Sequence, residues 1–531
     1  MNVYYNGPIM TMEDSLPFAE ILVEENGKIL YVGDKLNAPI DDDAKWLDLK
    51  GHTLMPALID GHGHLSNTAN FLKTVPLHLA ESFEDISTTM KDYLQQHPNI
   101  KTLIGMGYDH NFLREQCHPT KEILDKVSKD IPILIVHTSM HTGVANSKLL
   151  EIAGFMSPLV KIPGGRIVRD LVSEEPSGLL EEMAVFEALP YVGELFSPSC
   201  IEDLVDAQEF YIKNGILTIQ DGAAKRDGIE LIREMADNGK LKCDIVSYPC
   251  FKIEPDAQKI VHENRQYINE YINHFKIGGY KIVLDGSPQC KTAWLSEPYQ
   301  GEDIYCGYPG LDDLEVQKYV DIAVDENMQL LTHCNGDAAG DQLLDAYEKS
   351  VARYSERDNR QNLRPVMIHC QTVRADQLDR MQKLCMIASI FVGHINYWGD
   401  VHLKNLGEVR GAHISPVKSA LDRGIVVNFH TDTPVTMPYM FHSVWAAVTR
   451  MTRQGKILAP EERIDVWEAL KAVTINAAYS YFEENEKGSL KAGKNADLII
   501  VDRNPMSIDK MDIKNIQVLA SIKDGTVLYM A

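Results

Sequence analysis

Short, unbroken apolar runs alternate along the chain with longer amphipathic stretches. TLMPALID (53–60), GILTIQD (215–221), GGYKIVLD (278–285), NMQLLTH (327–333), PVMIH (365–369), IASIFV (387–392) and GIVVNFH (424–430) belong to the first kind. DDLEVQKYVDIAVDEN (312–327) and GDQLLDAYEKSVARYSE (340–356) belong to the second and read as helices. Strands buried on both faces, separated by helices, make βα units and a parallel sheet. Most of the runs end in His or Asp: Asp60 with His62 and His64, then Asp221, Asp285, His333, His369, and His430 with Asp432. An open sheet spreads its strand ends along an edge, whereas a closed barrel gathers them at one mouth. The endings favour an α/β chain built as a (β/α)8 TIM-type barrel.

The two ends of the chain follow a period of two. ILVEENGKILYVGD (21–34) predicts a hairpin around Asn26-Gly27, a dipeptide suited to a type I′ turn. NADLIIVD (495–502) and VLASIKDGTVLYM (518–530) repeat the pattern around Asp524-Gly525. The reading is a small β-sandwich domain built from residues 1–54 and 485–531, with the barrel at 55–484 between them. Residues 66–200, rich in turns such as QQHPNIKT, KIPGGRIVRD and SEEPSG, break the alternation. They are expected to form a large insertion after strand one, where barrels carry lids and specificity walls.

Composition narrows the function classes. The 531 residues are 44% hydrophobic and 24% charged, which describes an ordinary globular core. A net charge of −24 argues against a nucleic-acid surface or a polybasic membrane anchor. No run approaches the ~18 apolar residues of a membrane span, and MNVYYNGPIMTMED lacks a secretory pattern. The nine cysteines are odd in number and form no CxxC pair, so a reduced, cytoplasmic protein is expected.

Chemistry concentrates in LMPALIDGHGHL (54–65). Residues i and i+2 of a strand face the same side, so His62 and His64 project together as a natural ligand pair for a divalent metal such as zinc. Two satisfied structural histidines are the alternative reading. The motifs GYKIVLDGSPQCKTAWL, LLTHCNGDAAGD, MIHCQTV, FVGHINYWGD, HTDTPV and KGSLKAGKNADLIIVDRNP follow in order. With MPALIDGHGHL they make the chain resemble the amidohydrolase superfamily, in particular its amidohydrolase-3, or YtcJ-like, group. Ala57 departs from the glycine that more often follows the proline, away from the chemistry.

The resemblance implies roles at matching positions. His62 and His64 are the strand-one ligands, His333 and His369 follow strands five and six, and Asp432 binds metal and takes the proton of the attacking water. Lys281 is the bridging candidate, modified by CO2 to a carbamate; the alternatives are pairing with Asp285 or binding substrate as a cation. Glu182, in PSGLLEEMA, is the rival oxygen ligand. His394 contributes to oxyanion stabilisation or substrate binding. By spacing and not by resemblance, His430 lies two residues before Asp432 with the same facing and reads as its supporting partner. Tyr108, Asp109 and His110 of GMGYDH, with Trp294, Tyr397 and Trp398, are candidates for the substrate pocket or for packing.

The implied activity is hydrolysis of a C–N bond in an N-formyl, N-acyl or cyclic amide, by water activated on one or two metal ions, most simply zinc. Relatives of this kind include deformylases of N-substituted formamides. The resemblance further implies a small-molecule substrate and a homodimer. Ester or lactone hydrolysis, deamination, decarboxylation or a non-enzymatic regulatory role on the same fold are the alternatives.

Overall fold

Apolar runs long enough only for strands, and amphipathic stretches long enough for helices, make the chain α/β. The computed structural model describes residues 1–140, 142–162, 165–170, 172–193, 200–353 and 363–531. Within these the chain divides into two compact units, one of residues 1–65, 208–433 and 437–531, the other of residues 66–207 and 434–436.

The larger unit contains two parallel ladders. In the first, Leu58–Ile59, Ile216–Ala224, Asp244–Pro249 and Phe275–Ile277 pair in chain order. In the second, Gly279–Val283, Gln329–Cys334, Val366–His369, Ile387–Ile390 and Val427–Phe429 do the same. Only Gly278 separates the last strand of one ladder from the first strand of the other, and an isolated parallel bridge joins Cys250 to Lys281. At the opposite edges, the Gly61 N–H donates to the Phe429 carbonyl at 3.2 Å. Helices follow the strands: Asp313–Asp325 starts on a capping box between Asp312 and Glu315, and Asp337–Arg353 carries the second amphipathic stretch. Residues 354–356 of that stretch lie outside the described residues.

The chain termini share sheets. Thr53–Pro56 pairs antiparallel with Leu498–Val501, which pairs with Val518–Lys523 and, through it, with Thr526–Met530. A second sheet holds Asn2–Tyr5, Ile21–Glu25, Lys28–Gly33 and Lys45–Asp48. Tyr4, Leu22 and Ile29 from this sheet share one core with Leu54, Leu498 and Ile522 from the other. Both hairpin tips have positive φ at both central residues, 51° and 81° at Asn26-Gly27 and 47° and 72° at Asp524-Gly525, as a type I′ turn requires.

The smaller unit is a mixed six-stranded sheet. Val75–Pro76, Leu103–Tyr108 and Ile133–His137 run parallel, and Thr142–Ala145, Pro176–Glu182 and Gly165–Arg169 continue it antiparallel. Val75, Leu103, Ile133 and Ile135 are buried in its core with Ile86 and Met90 of the helix Phe83–Gln96. No helix among the described residues is long and apolar enough to cross a membrane. No disulfide joins the cysteines.

Candidate metal centre

Strand ends of the two ladders bring the histidines together. His62 and His64 follow Leu58–Ile59, and their rings meet edge to face at 4.8 Å. Asp432 follows Val427–Phe429, with Oδ1 3.1 Å from His64 Nε2 and 3.6 Å from His62 Nε2. The Asp432 N–H donates to the His62 carbonyl at 3.1 Å, and the His64 N–H donates to the Thr433 carbonyl at 2.9 Å, so backbone bonds hold the two strand ends in register. Lys281, within Gly279–Val283, places Nζ 3.1 Å from His62 Nε2. His62 Nε2 is thus flanked by an amine and a carboxylate.

A second group of imidazoles adjoins this one. His369 Nε2 lies 3.1 Å from His333 Nδ1, and His430 Nε2 lies 3.2 Å from His369 Nδ1. His430 Nδ1 is bonded to Ser389 Oγ at 2.9 Å, and its ring stands 5.4 Å from that of His62. His394 opens the helix His394–Ala412, its ring 5.9 Å from His369 and 5.4 Å from Trp398. Its Nδ1 is buried and has no hydrogen-bond partner among the described residues.

Burial sets the protonation of the cluster. It pushes His62 and His430 well below the ordinary imidazole value, and the Lys281 cation adds to the effect. His369 is lowered by burial and then by His333, and His394 by burial and then by His402. The Lys281 amine falls to about 8 through burial, against the opposing pull of Asp432. Each neutral imidazole keeps one ring nitrogen with a free lone pair, the form in which histidine binds a metal. Such a nitrogen-rich set with one carboxylate is the donor chemistry that divalent zinc takes.

A supporting layer stands behind the donors, and Asp60 has the place in it that its depth in the strand implies. Asp60, pushed up to about 7 by burial, is bonded through its carboxylate to Thr431 Oγ1 at 2.6 Å, to the Thr431 N–H at 3.2 Å and to the His62 N–H at 3.3 Å. It clasps the two strand ends rather than facing the donors. Asp285 accepts the backbone N–H groups of Asn335, Gly336 and Trp294 at 3.0, 2.7 and 3.0 Å. Lys281 is directed at His62 instead, so pairing with Asp285 is not its arrangement here. Gln220 and Tyr481, which sequence reasoning passed over, back the His62 ring; an amide in TIQD carries no spacing signal.

The remaining candidates are placed as follows. Trp398 is buried against Phe391 and His394, and Tyr397 lies against His442 at 4.8 Å. Trp294 is held by its backbone N–H on Asp285. Glu182 ends the strand Pro176–Glu182 in the smaller unit, with φ of 48°. In that unit Tyr108 is fully buried, its hydroxyl 2.9 Å from His118 Nδ1, and His110 stacks on His118 at 4.0 Å. Asp109, His110 and His137 form a second group of converging side chains, with His137 Nε2 3.3 Å from Asp109 Oδ1 and 3.2 Å from His110 Nδ1.

Comparison with known proteins gives this arrangement a family. Residues 45–529 match the model described as the amidohydrolase family. The protein LONG AFTER FAR-RED 3 of Arabidopsis thaliana is 29% identical over 99% of this chain and 91% of its own length. The N-substituted formamide deformylase of Arthrobacter pascens is 27% identical over 99% and 97%. The crystal structure of an uncharacterized metal-dependent hydrolase from Pyrococcus horikoshii OT3 superposes with a TM-score of 0.76 at 25% identity, covering 96% of this chain and 99% of that one. With the family match spanning nearly its whole length, and with histidines and an aspartate gathered at its strand ends, the chain belongs to the amidohydrolase family.

Proposed function

We propose that this family member is a metal-dependent hydrolase that cleaves the C–N bond of an N-formyl, N-acyl or cyclic amide. The observation that carries the reading is the convergence of His62 Nε2, His64 Nε2, Lys281 Nζ and Asp432 Oδ1, beside imidazoles held neutral by burial. The substrate class draws on the relative from Arthrobacter pascens, named for deformylation of N-substituted formamides. The reading includes closure of the two ladders into a (β/α)8 barrel, supported by the Cys250–Lys281 bridge and the Gly61–Phe429 bond.

In this reading His62, His64, His333, His369 and Asp432 hold one or two ions, most simply zinc. When bound, such an ion supplies a water acidified to near neutral pH and an electrostatic counterweight to developing oxyanion charge. Asp432 takes one proton of the attacking water and returns it to the leaving nitrogen, so that water and amide become carboxylic acid and amine, which pass to carboxylate and ammonium by transfer of the remaining proton. His394, with its unpartnered Nδ1, stabilises the oxyanion or holds the substrate carbonyl. The Lys281 amine, sharply less basic than in water, adds to CO2 with loss of a proton and becomes a carboxylate-like ligand.

Metal analysis and a substrate panel test the proposal together. The purified chain is expected to carry at least about one equivalent of zinc, manganese or iron and to release formate or a carboxylate from N-formyl and N-acyl amines. Less than one equivalent after mild purification, or a metal-loaded chain inert on the whole panel, would overturn it.

A further inference from the structure

The Nε2 of His62 can face a cation only if its ring carries the proton on Nδ1. Four hydrogen bonds behind the ring decide this. The carbonyl of Asp60 can only accept, so the Tyr481 hydroxyl donates to it at 2.7 Å. With that proton committed, the Tyr481 oxygen accepts from the Gln220 amide NH2 at 2.9 Å. The same NH2 donates to the Gly61 carbonyl at 3.2 Å. Turning the amide over would set two carbonyl oxygens against each other, so Gln220 Oε1 is fixed facing His62 Nδ1, with which it is hydrogen-bonded. An acceptor that faces Nδ1 requires the hydrogen there.

The ring and its amide partner sit directly against the backbone of Gly222. A Cβ on Gly222 would lie 2.5 Å from His62 Cε1 and 2.6 Å from Gln220 Oε1. The imidazole and its amide partner occupy the space that only glycine leaves open.

We infer that Gln220, oriented by Gly61 and Tyr481, is a positioning residue that locks His62 as the Nδ1–H tautomer and so presents the Nε2 lone pair to the metal. The inference rests on the metal-dependent reading above. The second His–Asp group shows the opposite wiring. There the Ser139 N–H donates to His137 Nδ1 at 3.1 Å, which leaves the hydrogen on Nε2, directed at Asp109 Oδ1 and His110 Nδ1. That group is wired as a hydrogen-bond network, and the tautomer separates it from the ligand set around His62.

The test uses the full-length chain stripped of metal, zinc as the probe, and a chromophoric chelator as competitor. Gln220→Met, which removes the acceptor at nearly constant length, is expected to weaken zinc binding about 10–100-fold. Gln220→Glu is expected to recover most of the loss, because its carbonyl accepts from Nδ1–H and its protonated oxygen donates to Gly61. The 15N resonances of His62 in the zinc-free chain give the readout that a merely structural role would not move. Wild type and Gln220→Glu should show a protonated Nδ1, and Gln220→Met a mixture of tautomers. Tyr481→Phe, which removes one of the two acceptors that hold the amide and leaves the Gly61 carbonyl as the other, should shift the tautomer in the same direction by a smaller amount and covers the case of a Gln220→Met chain that does not fold. Wild-type zinc affinity in folded Gln220→Met, or a Gln220→Glu as weak as Gln220→Met, overturns the inference. A wild type that takes up no zinc overturns the metal reading instead, and its 15N shifts still decide the tautomer.

Discussion

At the scale of residues, two of the gathered side chains stand on unusual backbone. His369 has φ of 73° and Asp432 has φ of 56°. A non-glycine residue in this region costs about 1–3 kcal/mol, and such strain collects where side-chain direction matters more than local comfort. Asp432→Asn keeps the shape and removes the base that the proposed mechanism assigns there, so that mechanism expects kcat/KM on a responsive amide to fall about 10²–10⁴-fold in steady-state assays. Gly222→Ala puts a methyl 2.5 Å from the His62 ring. It is expected to cost about 1–3 kcal/mol in denaturant unfolding, as over-packed sites do, and to weaken zinc retention in chelator competition. His62, His64 and Asp432 were legible as candidates because imidazoles and carboxylates recur at the ends of apolar runs, although that signal also picks out Asp60 and Asp285, which bind backbone instead. Gln220 and Tyr481 were not, because an amide and a phenol at those positions read equally well as packing.

At the scale of elements, the apolar runs marked the ladder strands, since burial on both faces removes the alternation that a half-exposed strand shows. The helix Asp313–Asp325 falls inside the amphipathic stretch 312–327, with the first residue of that stretch, Asp312, as its N-cap. The Asp312 side chain accepts from the Glu315 N–H at 2.9 Å, and Glu315 accepts from the Asp312 N–H at 3.2 Å. Asp312→Ala is expected to cost about 1 kcal/mol, read as a lower denaturant midpoint with an unchanged slope. The sheet of the smaller unit was not legible. Ile133–His137 is apolar enough to be seen as a strand, but Leu103–Tyr108 carries Gly105 and Gly107, and their parallel pairing is set across a long separation that no local signal encodes.

For the molecule as a whole, a buried ionic network ties the first ladder to the sheet formed by the termini. Asp244, at the start of its ladder strand, pairs with Lys487, with Lys523 at 3.0 Å and with His274 at 2.7 Å; Lys523 also reaches Asp497 at 2.9 Å. Burial alone would raise the Asp244 carboxyl, but Lys487, Lys523 and His274 together hold it well below the usual carboxylate range. Its folded-state proton is therefore lost at lower pH than in the unfolded chain. The stabilisation is full above the unfolded value of about 4 and drains away as pH falls through the folded one. Asp244→Asn leaves two buried lysines short of a counter-charge. It is expected to cost about 3–5 kcal/mol near neutrality and to flatten the acid limb of a stability–pH profile measured by denaturant unfolding.

The sequence by itself determined which residues are apolar on both faces, where the hairpins turn, and which imidazoles and carboxylates stand at strand ends, because each is fixed by local period or side-chain chemistry. Tertiary structure alone decided which donor atoms meet. Lys281 is turned to His62 rather than Asp285, and Asp60, whose place behind the ligand pair was already legible from its position in the strand, finds its partner in Thr431. The tautomer of His62 was likewise outside the reach of sequence. It depends on carbonyls and a phenol from residues 60, 61 and 481, which only the folded chain places around one amide.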